Sequence, residues 1–179
     1  MPALASTTSS RSTGCAVVAL GSNLPSQFGS PAETLLRAME DLRQLSAGPL
    51  QASSLYRTAP IDCAEGTPDF INAVVMLLPA HDESPEGLLR QLKRIEQAFQ
   101  RERAGPPNSP RTLDLDLICW GEHRSSTDEL KLPHPLAHER LFVLRPLAEI
   151  APDLCIPGQA LSVSELAARL DGQRISRID

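Results

Sequence analysis

At 179 residues with 41% hydrophobic content, the chain can bury one full core and falls in the usual range for a single domain. A net charge of −5, with one Trp, one Tyr and four Phe, excludes a general nucleic-acid binder, which needs a basic surface and stacking platforms. The longest apolar runs, 15–20 and 74–78, are far shorter than the ~18 residues of a membrane span.

Residues 1–14 have no apolar h-region and read as a disordered Ser/Thr-rich tail, leaving 15–179 as the expected folded domain. Cys15, Cys63, Cys119 and Cys155 have no paired spacing of the zinc or redox kind, so reduced structural thiols in the cytoplasm are expected. The run CAVVAL, stopped by Gly21-Ser22-Asn23, predicts a buried first strand. Ser30-Pro31-Ala32-Glu33 supplies a cap, a first-turn proline and a capping-box glutamate, and Leu35, Leu36, Met39, Leu42 and Leu45 continue with helical spacing. Residues 50–56 and 70–78 read as strands two and three, with a long connection at 57–69. Ser84-Pro85 opens a second helix with apolar positions Leu88, Leu89, Leu92, Ile95 and Phe99. A loop at 101–110 follows, then a fourth strand at 112–120. The order β-α-β-β-α-β is that of an α+β ferredoxin-like sandwich, with helices on one face of a largely antiparallel sheet. The chain from 132 onward is expected as a C-terminal helical appendage, with helices near 138–148 and at 163–170, the latter capped by Ser162 with Glu165.

The chemistry concentrates in Pro110-Arg111-Thr112-Leu113-Asp114-Leu115-Asp116. Leu113, Leu115 and Leu117 face one way along the strand, while Asp114 and Asp116 face the other, about 7 Å apart. Two such carboxylates can converge on hard cations that carry nucleotide phosphates. A bare D-x-D pair is more often a solvated strand face. Here Arg111 just upstream, the Arg101-Glu102-Arg103 loop and the buried leucine face favour metal-assisted nucleotide chemistry.

The string PRTLDLD, together with GSN, SSLYRTAP, PDFINAV and LPHPLAHERLFVLRPLAEIAPD, resembles the 6-hydroxymethyl-7,8-dihydropterin pyrophosphokinases of folate biosynthesis over about residues 17–157. The resemblance implies that Asp114 and Asp116 hold two magnesium ions, and that pyrophosphate passes from ATP to the hydroxymethyl-dihydropterin with AMP leaving. It further implies that Glu96, Arg101, Arg103, Arg111, His134 and Arg140 contact ATP, with Arg101 and Arg103 acting in catalysis from a lid at 101–110. Thr58, Ile61, Phe70, Asn72 and Phe142 fall on the family's pterin site, where two rings can sandwich a flat heterocycle and an amide can read its edge. The hydroxymethyl proton has two destinations open to it, a metal-ligating aspartate or water. Familiar members often carry a tryptophan before PRTLDLD, where this chain has Pro106-Pro107-Asn108-Ser109. The expected partners are ATP and the pterin alone, without nucleic acid or membrane, and the enzyme is expected to act as a monomer. The competing readings are a regulatory or nucleic-acid-binding module on the same fold and a D-x-D glycosyl transferase.

Overall fold

A computed structural model describes residues 14–61, 63–100 and 109–178. In chain order the elements are β1 (Ala16–Ser22), α1 (Pro31–Arg43), β2 (Gln51–Ala52), β3 (Tyr56–Thr58), β4 (Phe70–Leu77), α2 (Pro85–Ala98) and β5 (Asp114–Trp120). A small hairpin, β6 (Ser125–Ser126) with β7 (Lys131–Leu132), comes next, then a 3-10 turn at Ala137–Glu139, α3 (Leu141–Ile150), α4 (Val163–Arg169) and β8 (Ile175–Arg177). The main sheet runs β5-β1-β4-β3-β8, with β2 also on β4 and every pairing antiparallel. Its first four strands follow the ferredoxin-like order.

Helix starts form where the sequence supplies caps. Ser30 and Glu33 close a capping box on α1, Ser162 and Glu165 close one on α4, and the Ser84 hydroxyl accepts from the Gly87 N–H on α2. The α1 box matters because the first N–H groups of a helix have no partner within it.

Strand alternation divides the residues between two cores. Val18, Leu20, Ala73, Val75, Leu115 and Leu117 face α1 and α2, packing with Leu35, Leu42, Leu88, Leu92 and Phe99. Each fully buried leucine there contributes about 1.5–3 kcal/mol. Val17, Ala19, Val74 and Ile118 point the opposite way and are covered by Leu144, Leu147, Val163 and Ala167 of α3 and α4. The helices expected as an appendage thus form a second layer with its own core, and the sheet is covered on both faces. That layer is required by the apolar odd positions of β1, which a one-sided sandwich would leave in water.

Three further features depart from the sequence reading. The expected strand over 50–56 is broken at Ser53, whose N–H donates to the Val74 carbonyl (2.9 Å) while its hydroxyl accepts from the Val74 N–H (3.0 Å). A side-chain oxygen there replaces the ladder carbonyl, so β2 and β3 are separate pieces on one partner. The C-terminal residues add β8 beside β3. Finally, the β1–β5 register shifts at Val17/Val18, which turns both Ile118 and Cys119 toward the α3 face.

Candidate active site

The face carrying Val17, Ala19, Val74 and Ile118 changes character toward the other end of the strands. Register alone sets one row across the sheet: Asp114 opposite Gly21, Gly21 opposite Asn72, Asn72 opposite Tyr56. Asp116 lies in the preceding row, opposite Ala19, and Phe70 pairs with Thr58 in the following one. Helices α3 and α4 cover the apolar half of this face. The polar half remains open as a cavity of about 400 Å³. Its wall includes Thr58, Ile61, Phe70, Asn72, Arg111, Asp114, Asp116, His134, Arg140 and Phe142. Ten of the residues expected in the site are therefore brought together.

Asp114 and Asp116 are half-buried on β5, and the Arg111 guanidinium forms an ion pair with Asp114. Arg111 is itself well anchored. Its backbone N–H donates to Asn23 Oδ1 (2.7 Å), its Nε–H donates to the Ser109 carbonyl (3.1 Å), and its guanidinium carbon lies 5.9 Å from the Phe70 ring centre. Arg140 stands likewise 5.5 Å from the ring centre of Phe142. Each expected pterin-facing ring therefore borders an expected phosphate-facing guanidinium.

His134 is fixed by its backbone N–H to the Ile118 carbonyl (2.7 Å), and its Nδ1 accepts from the Leu136 N–H (3.2 Å). With Nδ1 as acceptor, the hydrogen-bond network assigns the neutral ring's hydrogen to Nε2. Burial, reinforced by the Arg140 charge, lowers the His134 pKa from its ordinary value against the opposing pull of Asp114. Both effects favour the neutral ring, in which Nε2 is the donor.

On the other wall, Asn72 is 5% exposed, and its Nδ2–H donates to Thr58 Oγ1 at 2.7 Å. That bond directs the Asn72 carbonyl toward Gly21, where an added Cβ would stand 2.9 Å from Oδ1. A glycine is needed at this close approach.

Glu96 has a different place. It is 1% exposed beneath β5, where its Oε1 accepts from the Leu115 N–H at 2.9 Å, between the two aspartates. It supports the strand from below and is not among the described residues that line the cavity. Arg101 and Arg103, with most of the expected lid, lie outside the described residues.

The sequence reading passed over Gly21, Asn23, Glu139 and Gln173. Asn23 joins the end of β1 to the turn before β5, because its N–H also donates to the Arg111 carbonyl (3.1 Å) and its Nδ2–H to the Pro68 carbonyl (3.3 Å). The GSN string was a signal for the first two residues. No local pattern marks Gln173.

Among the described residues no three His, Cys, Asp or Glu gather into a metal cage. Two half-buried carboxylates beside an open cavity are nonetheless a fitting oxygen donor set for magnesium, which keeps waters and substrate phosphates as its other ligands.

The chain is similar to known proteins over most of its length. Residues 17–152 match the family model for 7,8-dihydro-6-hydroxymethylpterin-pyrophosphokinase. The 2-amino-4-hydroxy-6-hydroxymethyldihydropteridine pyrophosphokinase of Haemophilus influenzae is 35% identical over 165 residues, covering 92% of this chain and 98% of that protein. The protein of the same name from Pseudomonas aeruginosa is 38% identical over 162 residues, covering 90% of this chain and 94% of its own. Among solved structures, the HPPK-DHPS of Plasmodium falciparum aligns with a TM-score of 0.66 at 15% identity, a likeness of fold. It covers 88% of this chain, which spans 43% of that longer one. By the family model and by relatives matched over nearly their whole length, the chain belongs to the 7,8-dihydro-6-hydroxymethylpterin-pyrophosphokinase family.

Proposed function

We infer that this chain transfers the pyrophosphoryl group of ATP to 6-hydroxymethyl-7,8-dihydropterin, giving AMP and the pterin diphosphate for folate synthesis. The observation that carries the reading is one cavity whose lining combines two kinds of group: the charged or phosphate-suited Asp114, Asp116, Arg111, His134 and Arg140, and the ring- and amide-bearing Phe70, Asn72, Thr58 and Phe142.

The hydroxymethyl oxygen attacks the β-phosphorus, the bond from that phosphorus to the bridging oxygen of AMP breaks, and the hydroxyl proton passes to an aspartate of the Asp114–Asp116 pair or to water. Such a transfer depends on positioning and charge neutralisation far more than on covalent help. Asp114 and Asp116 would hold two magnesium ions, which would supply charge neutralisation at the phosphates. Arg111 and Arg140 suit phosphate oxygens through their planar forks, with Arg101 and Arg103 assigned the same task. Neutral His134 donates from Nε2 to a phosphate oxygen. Phe70 and Phe142 take the faces of the pterin ring, with Ile61 at its border, while Asn72, oriented by Thr58, reads its polar edge. Glu96 acts indirectly, by holding the Leu115 backbone between the aspartates.

A cytoplasmic monomer completes the reading. The free thiols Cys15, Cys63, Cys119 and Cys155 suit a reducing compartment. The test supplies ATP, magnesium and the pterin alcohol and follows the products. AMP with the pterin diphosphate is expected, whereas ADP as product, or no turnover, overturns the proposal.

A further inference from the structure

The N-terminus of α3 carries both Arg140 and Phe142 into the cavity, yet it has no cap of its own kind. Arg140 occupies the cap position with extended backbone (φ −112°, ψ 106°) and no side-chain hydrogen bond to the helix. The partner comes from the other end of the chain. Gln173 Oε1 accepts from the Leu141 N–H at 2.8 Å, and its Nε2–H donates to the Glu139 carbonyl at 2.9 Å. One amide thus grips the backbone immediately before and after Arg140.

The same short segment also sets the opposite wall. Gly172, with φ +83°, makes a left-handed turn that glycine adopts at little cost. Beyond it the Arg174 carbonyl accepts from the Ala59 N–H (3.3 Å), and Ile175 pairs with Thr58. Residues 172–175 therefore tie the Arg140–Phe142 wall to the Thr58 wall, from beyond the stretch 17–152 that matches the family model.

We propose that Gln173 is a positioning residue for the transfer, its two-bond bridge across Glu139 and Leu141 fixing the direction in which Arg140 and Phe142 meet their ligands. The inference rests on the function proposed above. Misplacement of such groups by about 1 Å can lower a rate by ~10²-fold, because the reacting groups must be held in a near-attack geometry. A helix cap with no further role would lower stability alone.

The test compares Gln173→Leu, which removes both bonds at nearly constant size, with Gln173→Glu, which keeps an acceptor for Leu141 and loses the donor to Glu139. Ser162→Ala, a cap deletion on α4, is the control for stability loss away from the cavity. Steady-state constants for both substrates are measured well below each variant's melting temperature, with calorimetry of a non-hydrolysable ATP analogue. The expected result for Gln173→Leu is a fall of ~10–100-fold in kcat/KM for the pterin and weaker binding of the ATP analogue, with Gln173→Glu between it and the parent and Ser162→Ala near the parent. Kinetic constants of Gln173→Leu equal to those of the parent, or matched by Ser162→Ala, overturn the proposal. If Gln173→Leu does not fold, parental constants in Gln173→Glu overturn it equally. An inactive parent protein would refute the transfer reaction itself, so the two failures are distinct.

Discussion

Gly21→Ala is a single-methyl probe of the pterin wall. Gly21 has no left-handed backbone requirement, so the methyl itself is the perturbation. The new carbon would lie 2.9 Å from Asn72 Oδ1 but 4.0 Å from Asp114 Cβ, an ordinary contact. The strain therefore falls on the amide and spares β5. Asn72 is buried and bonded to Thr58, so moving it disrupts a bond worth about 1 kcal/mol and leaves buried polar groups unpaired at about 1–3 kcal/mol. Loss of the amide's contacts with the pterin edge should cost about 1.5–3 kcal/mol of binding, or roughly 10–100-fold in KM for the pterin. The melting temperature should drop by about 4–16 °C, given 2–4 °C per kcal/mol at this chain length. Binding of an ATP analogue should be unchanged. Steady-state kinetics, calorimetry and a thermal melt measure all three, and a parental pterin KM with a parental melting temperature would refute the close-approach argument.

Asp116→Asn should abolish transfer while preserving the circular dichroism spectrum, because one carboxylate of the oxygen donor pair is lost from a half-buried position; parental turnover at saturating magnesium would remove Asp116 from the metal site. Phe142→Ala should weaken the pterin more than ATP, by about 0.5–1.5 kcal/mol beyond area burial for a lost ring stack, and calorimetry with each ligand in turn separates the two. Glu149, at the end of α3, accepts from the Ser54 N–H (3.0 Å), the Ser54 hydroxyl (2.7 Å) and the Tyr56 hydroxyl (3.0 Å). Burial opposes its ionisation, but the Ser54 and Tyr56 bonds outweigh it and hold its pKa below the ordinary 4.5. Its stabilisation is therefore present above pH 4.5 and lost as pH falls through the lower folded-state value. Glu149→Gln should flatten the acid limb of stability measured by urea titration, and an unchanged limb would show that this group does not govern it.

The parts of the fold legible in the sequence were those written in local chemistry. Capping residues Ser30, Ser84 and Ser162 marked helix starts correctly, and the alternation of Leu113, Asp114, Leu115 and Asp116 assigned the faces of β5. The second helical layer was foreshadowed by Val17 and Ala19, but a short apolar run reads the same whether one face is covered or both. The break at Ser53 depends on a hydroxyl finding the Val74 N–H across the sheet, which no local window contains. Glu96 sits at a helix position like many surface glutamates, and only the tertiary packing brings it to the Leu115 N–H. Gln173 lies 32 residues from Leu141 in sequence and belongs to no recognisable pattern.

The Arg111–Asp114 pair gives the cavity a built-in exchange of ions. With the guanidinium against it, Asp114 already has a counter-charge, so a cation arriving alone must displace a tethered rival. An anion arriving alone must likewise draw Arg111 from the carboxylate. When both come as one package, each would take over a partner the other has released. On the proposed function, the pair would favour a metal–nucleotide complex over bare metal or bare nucleotide through mutual replacement rather than through any additional contact.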